Sequence, residues 1–206
     1  MIPTLFEIPI FGGIPIHSFG LMLATAFLTS SYILRKLFKN NGFPEAVAEQ
    51  VVLTAAIAGL AGSKLYFLLF ESFDRFMRHP FEMLFSGAGL TWYGGLILAM
   101  VCIMILVKRR KLPLLKSVDL ISVPLALGYG IGRIGCHLAG DGDYGLPWNG
   151  ILATNYSKGI VPPSQAFYGT EIAKNYPNGV VPNDTLCHPT PMYETVLSVI
   201  IFLILW

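Results

Sequence analysis

Apolar positions along this chain come in long, nearly unbroken runs. They show neither the alternation of a half-buried strand nor the one-faced stripe of a surface helix. A helix that crosses a bilayer needs about 20 mostly apolar residues. Five stretches qualify: 14–34, 51–70, 88–107, 118–138 and 189–206. The pattern predicts an all-α polytopic membrane protein with about five transmembrane helices, organised as a single transmembrane domain over residues 1–206. The fifth stretch is still apolar at Trp206 and has no flanking charge, which reads as a chain that continues beyond this sequence.

Residues 139–190 break the pattern. They are rich in Gly and Pro, carry Trp148, Tyr156, Tyr168 and Tyr176, and show no helical period. A loop of this length is usually functional or disordered, and its aromatics argue for packing. Within the spans, small residues recur four apart, at Ala55, Gly59 and Ser63 and at Gly128 and Gly132. Such patterns let helices approach closely in lipid.

Composition agrees. Hydrophobic residues make up 54% of the 206 and charged residues 13%, about half the charge of an average soluble domain. A net charge of +2 is too small to suggest nucleic acid. The basic residues instead fall in short clusters that set orientation. Arg35, Lys36 and Lys39 follow the first span; Lys108, Arg109, Arg110, Lys111 and Lys116 follow the third. These belong on the cytoplasmic side, which puts the N-terminus and residues 139–190 outside. Residues 1–13 contain no Lys or Arg and lack the basic start of a cleavable signal peptide. Cys102, Cys136 and Cys187 form no disulfide framework and no paired metal motif.

Charges inside a span are costly and mark function by default. Here they are Lys64, Arg133 and Glu194, with His17 and His137 beside them. At 1.5 Å per residue, Arg133 lies about 22 Å, and Lys64 roughly 20 Å, from the inner ends of their spans. His17, Tyr93 and Glu194 open their spans on the outer side. Five helices therefore place polar groups in one outer layer. Plain roles exist for some of them: a snorkelling Lys64, an interfacial His17, a first-turn acid at Glu194. Arg133 is too deep for comfortable snorkelling. Arg133 and His137 share a helical face, with Cys136 beside them. Beyond them the helix breaks at Gly140-Asp-Gly-Asp-Tyr-Gly145. Asp141 and Asp143 lack the alternating ligands and closing Glu of a calcium loop. A guanidinium with paired donors, beside exposed backbone N–H groups, suits a lipid phosphate.

These residues resemble the prolipoprotein diacylglyceryl transferases. Gly132-Arg-Ile-Gly-Cys-His-Leu-Ala-Gly-Asp141 resembles that family's Gly-Arg-hydrophobic-Gly-Asn-Phe-x-Asn-Gly-Glu signature. Asp119 matches an acid that the family places upstream of the Arg. His17-Ser-Phe-Gly-Leu-Met22 is similar to its first-helix motif His-x-Tyr-Gly-hydrophobic-Met, and Trp92-Tyr-Gly-Gly-Leu96 to Phe-His-Gly-Gly-Leu. His188-Pro-Thr-Pro-Met-Tyr-Glu194 is similar to His-Pro-x-Gln-hydrophobic-Tyr-Glu. The four motifs fall in order along nearly the whole chain. This sequence departs from the pattern at Phe19 (Tyr in the family), Tyr93 (the His proposed as base), Cys136 and Ala139 (both Asn) and His137 (an aromatic). The family also carries further helices with a second Arg.

The resemblance implies a reaction. A diacylglyceryl group passes from phosphatidylglycerol to the lipobox cysteine thiol in the signal peptide of a preprolipoprotein. Glycerol phosphate leaves, at the outer face of the bacterial inner membrane, with no metal or organic cofactor. Arg133, His137 and Tyr93 are then the expected catalytic residues. His17, Gly132, Gly135, Gly140, Asp141, Gly145, His188, Tyr193 and Glu194 are the expected substrate-binding ones. Arg133 would stabilise the anionic leaving group, and Asp141 would orient Arg133 or the substrate glycerol. A phenol ionises near pH 10 against about 6.5 for an imidazole, so His137 is expected to accept the thiol proton in place of Tyr93. Two other readings compete. A non-catalytic relative would bind lipid or lipoprotein precursor, as the departures at Phe19, Tyr93 and Cys136 favour. A small transporter or channel would also hold intramembrane charges, but would line a path with them instead of clustering them at one face.

Overall fold

The computed structural model describes residues 1–8, 14–85 and 91–206. In chain order the elements are β1 (Thr4–Ile8), β2 (Ile14–His17), α1 (Ser18–Asn40), α2 (Glu45–Tyr66), α3 (Phe73–Arg78), α4 (Pro80–Phe85), α5 (Trp92–Arg109), α6 (Leu114–Ala139), β3 (Thr154–Asn155), α7 (Pro163–Ala166), β4 (Leu186–Cys187) and α8 (Thr190–Leu205). A π turn, Phe67–Glu71, continues α2. Four of these helices are long and apolar enough to cross a membrane: α1, α2 with its π turn, α5 and α6. The fifth predicted span is α8, an apolar helix of 16 residues, about 24 Å at the helical rise.

The spans keep their predicted places, but their ends move. Residues 14–17, expected to open the first helix, form β2 instead. This strand pairs antiparallel with β1, Thr4 opposite His17. Pro3 and Pro15 disfavour helix on either side, and Ser18 N–H donates to Pro3 O at 2.9 Å where the helix starts. α2 begins at Glu45, behind Pro44, earlier than predicted. Residues 88–90, at the start of the third predicted span, lie outside the described residues.

The described residues fall into two compact units. One, Ser30–Ser122, is held by Leu34, Phe38, Val47, Ala48 and Val51, packed on Ile103, Leu106 and Leu120. The close approach of α2 and α5 needs glycine: a Cβ on Gly94 would meet Gly62 O and Tyr66 Cβ, and one on Gly95 would meet Ser63 Oγ and Gly59 O. The predicted small-residue stripe at Gly59 and Ser63 is thus a helix contact. Large apolar side chains such as Leu53 and Ile57 stay about 60% exposed (60% and 62%), as on a surface turned to lipid rather than water.

The other unit joins Met1–Thr29 to Val123–Trp206. In it α6 meets α1 at Gly135, where a Cβ would crowd Phe19 and Met22. It meets α8 at Gly130, whose carbonyl accepts from Thr195 Oγ1 at 3.1 Å. The segment between α6 and α8 is packed. Tyr144, Tyr156, Phe167, Ala173, Val181 and Cys187 form its core, and β3 pairs with β4.

Candidate active site

α6 carries Arg133 toward its C-terminal end, and the chain then turns sharply through Gly140 (φ +61°) and Gly142 (φ +96°). Glycine is needed at Gly140 on two counts. The left-handed backbone disfavours a side chain, and a Cβ would meet Gly159 Cα at 2.6 Å. Val161 N–H donates to Gly140 O, and Thr190 Oγ1 to Asp143 O at 2.7 Å. These bonds return Asp143 to the helix it has just left.

Asp143 meets Arg133 there, Oδ2 to Nη1 at 2.5 Å. On the opposite flank stands Glu194, in the second turn of α8. Arg133 Nη2 donates to its Oε1 at 3.1 Å. Nε lies 3.0 Å from Oε2 in a charge contact outside hydrogen-bond geometry. Tyr129, one turn before Arg133, donates its hydroxyl to the same carboxylate. Arg133 keeps only 13% of its side chain exposed, against 59% for Asp143 and 37% for Glu194. The cation is therefore the buried member of the group and the acids are its wetter flanks.

Asp141 is the acid expected to orient Arg133 or the substrate glycerol; of the two acids in this turn, it is Asp143 that pairs with Arg133. Asp141 Oδ1 instead accepts from Asp143 N–H at 3.4 Å, shaping the turn. Cys136 Sγ and the carboxylates of Asp141 and Asp143 lie within 4.8 Å of one another. Three such atoms would reach a metal ion, but the Asp143 carboxylate is already committed to Arg133.

His137, one turn beyond Arg133, is half-buried, and its Nδ1 lies 3.0 Å from the Tyr156 hydroxyl. Tyr156 is fully buried and stacks on Tyr144 at 4.1 Å. Burial pushes the Tyr156 and Tyr144 phenols up, and lifts the Cys187 thiol to about 11. His188 stacks on Trp148 at 4.1 Å and 9°, and its Nδ1 lies 3.2 Å from Tyr193 Oη. Trp148 also lines a cavity of about 530 Å³, with Pro147, Tyr176, Pro182 and Asp184 among its walls.

The remaining expected residues divide. Gly132 faces open space, whereas Gly135 is accounted for by packing on α1. Gly145 is held by its N–H on His188 O at 2.9 Å, and a Cβ there would meet Thr190 and His188. His17 ends β2, with Nδ1 3.4 Å from Thr4 Oγ1. Tyr93 and Lys64 belong to the other unit. Tyr93 sits in the first turn of α5, 63% exposed and edge-on to Trp92; Lys64 Nζ lies over the Phe67 ring. Three residues of the site were not among the expected ones: Tyr129, Asp143 and Tyr156. Tyr129 had a signal, since it precedes Arg133 by one turn on the same face. Tyr156 had none, because only the folded segment brings it to His137.

Comparison with known proteins matches residues 3–206 to the family model described as prolipoprotein diacylglyceryl transferase. Among similar proteins are three named phosphatidylglycerol–prolipoprotein diacylglyceryl transferase. The one from Leptospira interrogans (serogroup Icterohaemorrhagiae, serovar copenhageni) is 28% identical over 90% of this chain and 59% of its own length. That from Fusobacterium nucleatum is 30% identical over 95% of this chain and 74% of its own. That from Clostridium tetani is 28% identical over 100% of this chain and 74% of its own. The chain thus spans less than two thirds of the length of the Leptospira relative.

Proposed function

Because this chain belongs to the prolipoprotein diacylglyceryl transferase family, we propose that it moves a diacylglyceryl group from phosphatidylglycerol to the lipobox cysteine of a preprolipoprotein signal peptide. The observation that carries this reading is Arg133, a largely buried guanidinium between two carboxylates, in the segment that resembles the family's signature. A substrate thiol is a few per cent thiolate at pH 7 and strongly nucleophilic in that form. Its proton passes to solvent and the sulfur attacks the glycerol carbon. The C–O bond to phosphate breaks, and the electron pair leaves on the phosphate oxygen as glycerol phosphate. Arg133 would hold that oxygen through paired donors, strengthening as charge develops. His137 joins Arg133 in the proposed catalytic set; Tyr93, the third residue expected there, stands where the motif it resembles has its proposed base. Gly132, His188, Tyr193 and Glu194 line the proposed substrate side, with His17, Gly135, Gly140, Asp141 and Gly145 shaping it.

We place the reaction at the outer face of the bacterial inner membrane. The eight basic residues near the α1 and α5 C-termini support this orientation by the positive-inside rule. Thiol labelling of Lys39→Cys and Ser157→Cys tests it. An impermeant reagent that reaches Lys39→Cys from outside reverses the assignment. The transfer reading is tested with purified protein, phosphatidylglycerol and a lipobox peptide. Lipidated peptide is expected from the parent and none from Arg133→Ala. Equal product from Arg133→Ala would remove Arg133 from the mechanism. A second reading is favoured by the departures at Phe19, Tyr93 and Cys136: a relative that binds lipid or precursor without turnover. Peptide binding with no product identifies that case.

A further inference from the structure

Tyr156 is fully buried, yet among the described residues its hydroxyl has one hydrogen-bond partner, His137 Nδ1 at 3.0 Å. Neither ring is free to turn away. Tyr156 stacks on Tyr144 at 4.1 Å and 17°, and meets the imidazole edge-on at 90°. Tyr144 donates its own hydroxyl to Val161 O at 2.7 Å, and among the described residues no hydrogen bond joins it to the Tyr156 hydroxyl. A buried O–H left without an acceptor carries its full desolvation penalty. The phenol therefore donates and Nδ1 accepts. A neutral imidazole that accepts at one nitrogen carries its proton on the other. That nitrogen, Nε2, lies across the ring from Tyr156, on a half-buried side chain one turn from Arg133.

We infer that Tyr156 locks His137 as the Nε2–H tautomer, making the imidazole a fixed hydrogen-bond donor for the anionic phosphate at Arg133 and not a base for the thiol. This rests on the reading of Arg133 as the anion site. Tyr156 is a positioning residue; His137 is the group that touches phosphate. The expectation that His137 accepts the thiol proton is thereby reversed, because the nitrogen turned from Tyr156 has no free lone pair. A donor aimed where charge develops helps only if its direction is set beforehand, and the buried aromatic stack supplies that constraint.

Nitrogen NMR of histidine-labelled protein tests the tautomer directly. The protein is held in phosphatidylcholine nanodiscs at neutral pH, and the His137 signals are identified by their loss in His137→Gln. A protonated Nε2 and a bare Nδ1 are expected in the parent, and a mixture of tautomers in Tyr156→Phe. A bare Nε2 in the parent overturns the proposal by itself. Binding of phosphatidylglycerol is then compared between variants. His137→Leu is expected to bind roughly tenfold more weakly, the worth of one charge-assisted hydrogen bond. His137→Gln, which keeps an N–H, is expected to stay within about twofold. Equal losses in Gln and Leu also overturn it. A parent with the expected tautomer that binds phosphatidylglycerol no better than Arg133→Ala overturns the anion-site reading, and the donor role with it.

Discussion

Arg133 on α6 and Glu194 on α8 are 61 residues apart in sequence, and their side chains meet through two nitrogens and two oxygens. The paired contact fixes the plane of the guanidinium, so its outer edge is aimed before any lipid arrives. Glu194→Gln keeps the shape and the Tyr129 hydroxyl bond but removes the charge. Transfer should fall about tenfold, the scale of one charge-assisted bond. Arg133→Lys should fall about 100- to 1,000-fold, as when a preorganised donor is lost, because an ammonium cannot reproduce the fork. Rates measured at saturating lipid check both. A Lys variant within threefold of the parent would show that charge alone suffices.

Asp143 raises a competition. The guanidinium has five N–H donors, and Asp143 takes Nη1. An incoming phosphate must share or displace that carboxylate. Asp143 is 59% exposed, and Glu194 still faces the buried guanidinium when the Asp143 charge is removed, so that loss costs little stability. Asp143→Asn should leave the melting temperature within about 2 °C and lower the KM for phosphatidylglycerol several-fold. A raised KM would mean that Asp143 helps the lipid bind.

The sequence made the helices legible because hydrocarbon demands long apolar runs, and α5 and α6 answer that demand with ends a few residues from the predicted ones. Strand β2 was hidden by the same composition: Ile14 and Ile16 are apolar whether they enter lipid or pair with β1. The deep cation was legible because Arg133 has no cheap reason to be there. Its acids were harder. Asp141 and Asp143 look alike in sequence, and the choice between them depends on the left-handed turns at Gly140 and Gly142. Tyr156 became visible only once residues 139–190 had packed into a core.

That core carries a pH dependence with a definite sign. Cys187, Tyr144 and Tyr156 are neutral when protonated, and burial raises all three. The folded state therefore holds these protons more tightly than the unfolded state. The stability they contribute is complete below the ordinary values and is lost as pH climbs past them. For Cys187 the window runs from 9.0 to about 11; for the tyrosines it opens at 10.0. Tryptophan-fluorescence melts in detergent should be flat from pH 7 to about 8.5 and fall beyond. Cys187→Ala should start lower, from its cavity, but fall less steeply between pH 9 and 11. Equal slopes would show that the thiol takes no part.

Tyr93 lies in the segment Trp92-Tyr-Gly-Gly-Leu96, which resembles a Phe-His-Gly-Gly-Leu motif, and a Tyr in place of that His has a chemical cost. A phenol is neutral at pH 7 and a poor proton acceptor, whereas an imidazole near pH 6.5 accepts readily. If His137 is held as a donor by Tyr156, its imidazole does not take the thiol proton, and the reaction relies on the small thiolate fraction already present. The parent rate should then climb with pH toward the thiol's own value near 8.5. Tyr93→Phe should matter little, within about threefold, since the hydroxyl contributes no base. Tyr93→His is the informative change. Tyr93 is 63% exposed in the first turn of α5, so an imidazole fits there without repacking. It should raise the rate at pH 7 by about tenfold or more and move the inflection of the pH profile down toward 6.5. A Tyr93→His variant with the parent's profile would mean that thiol deprotonation does not limit this protein, and that leaving-group stabilisation at Arg133 sets its rate instead.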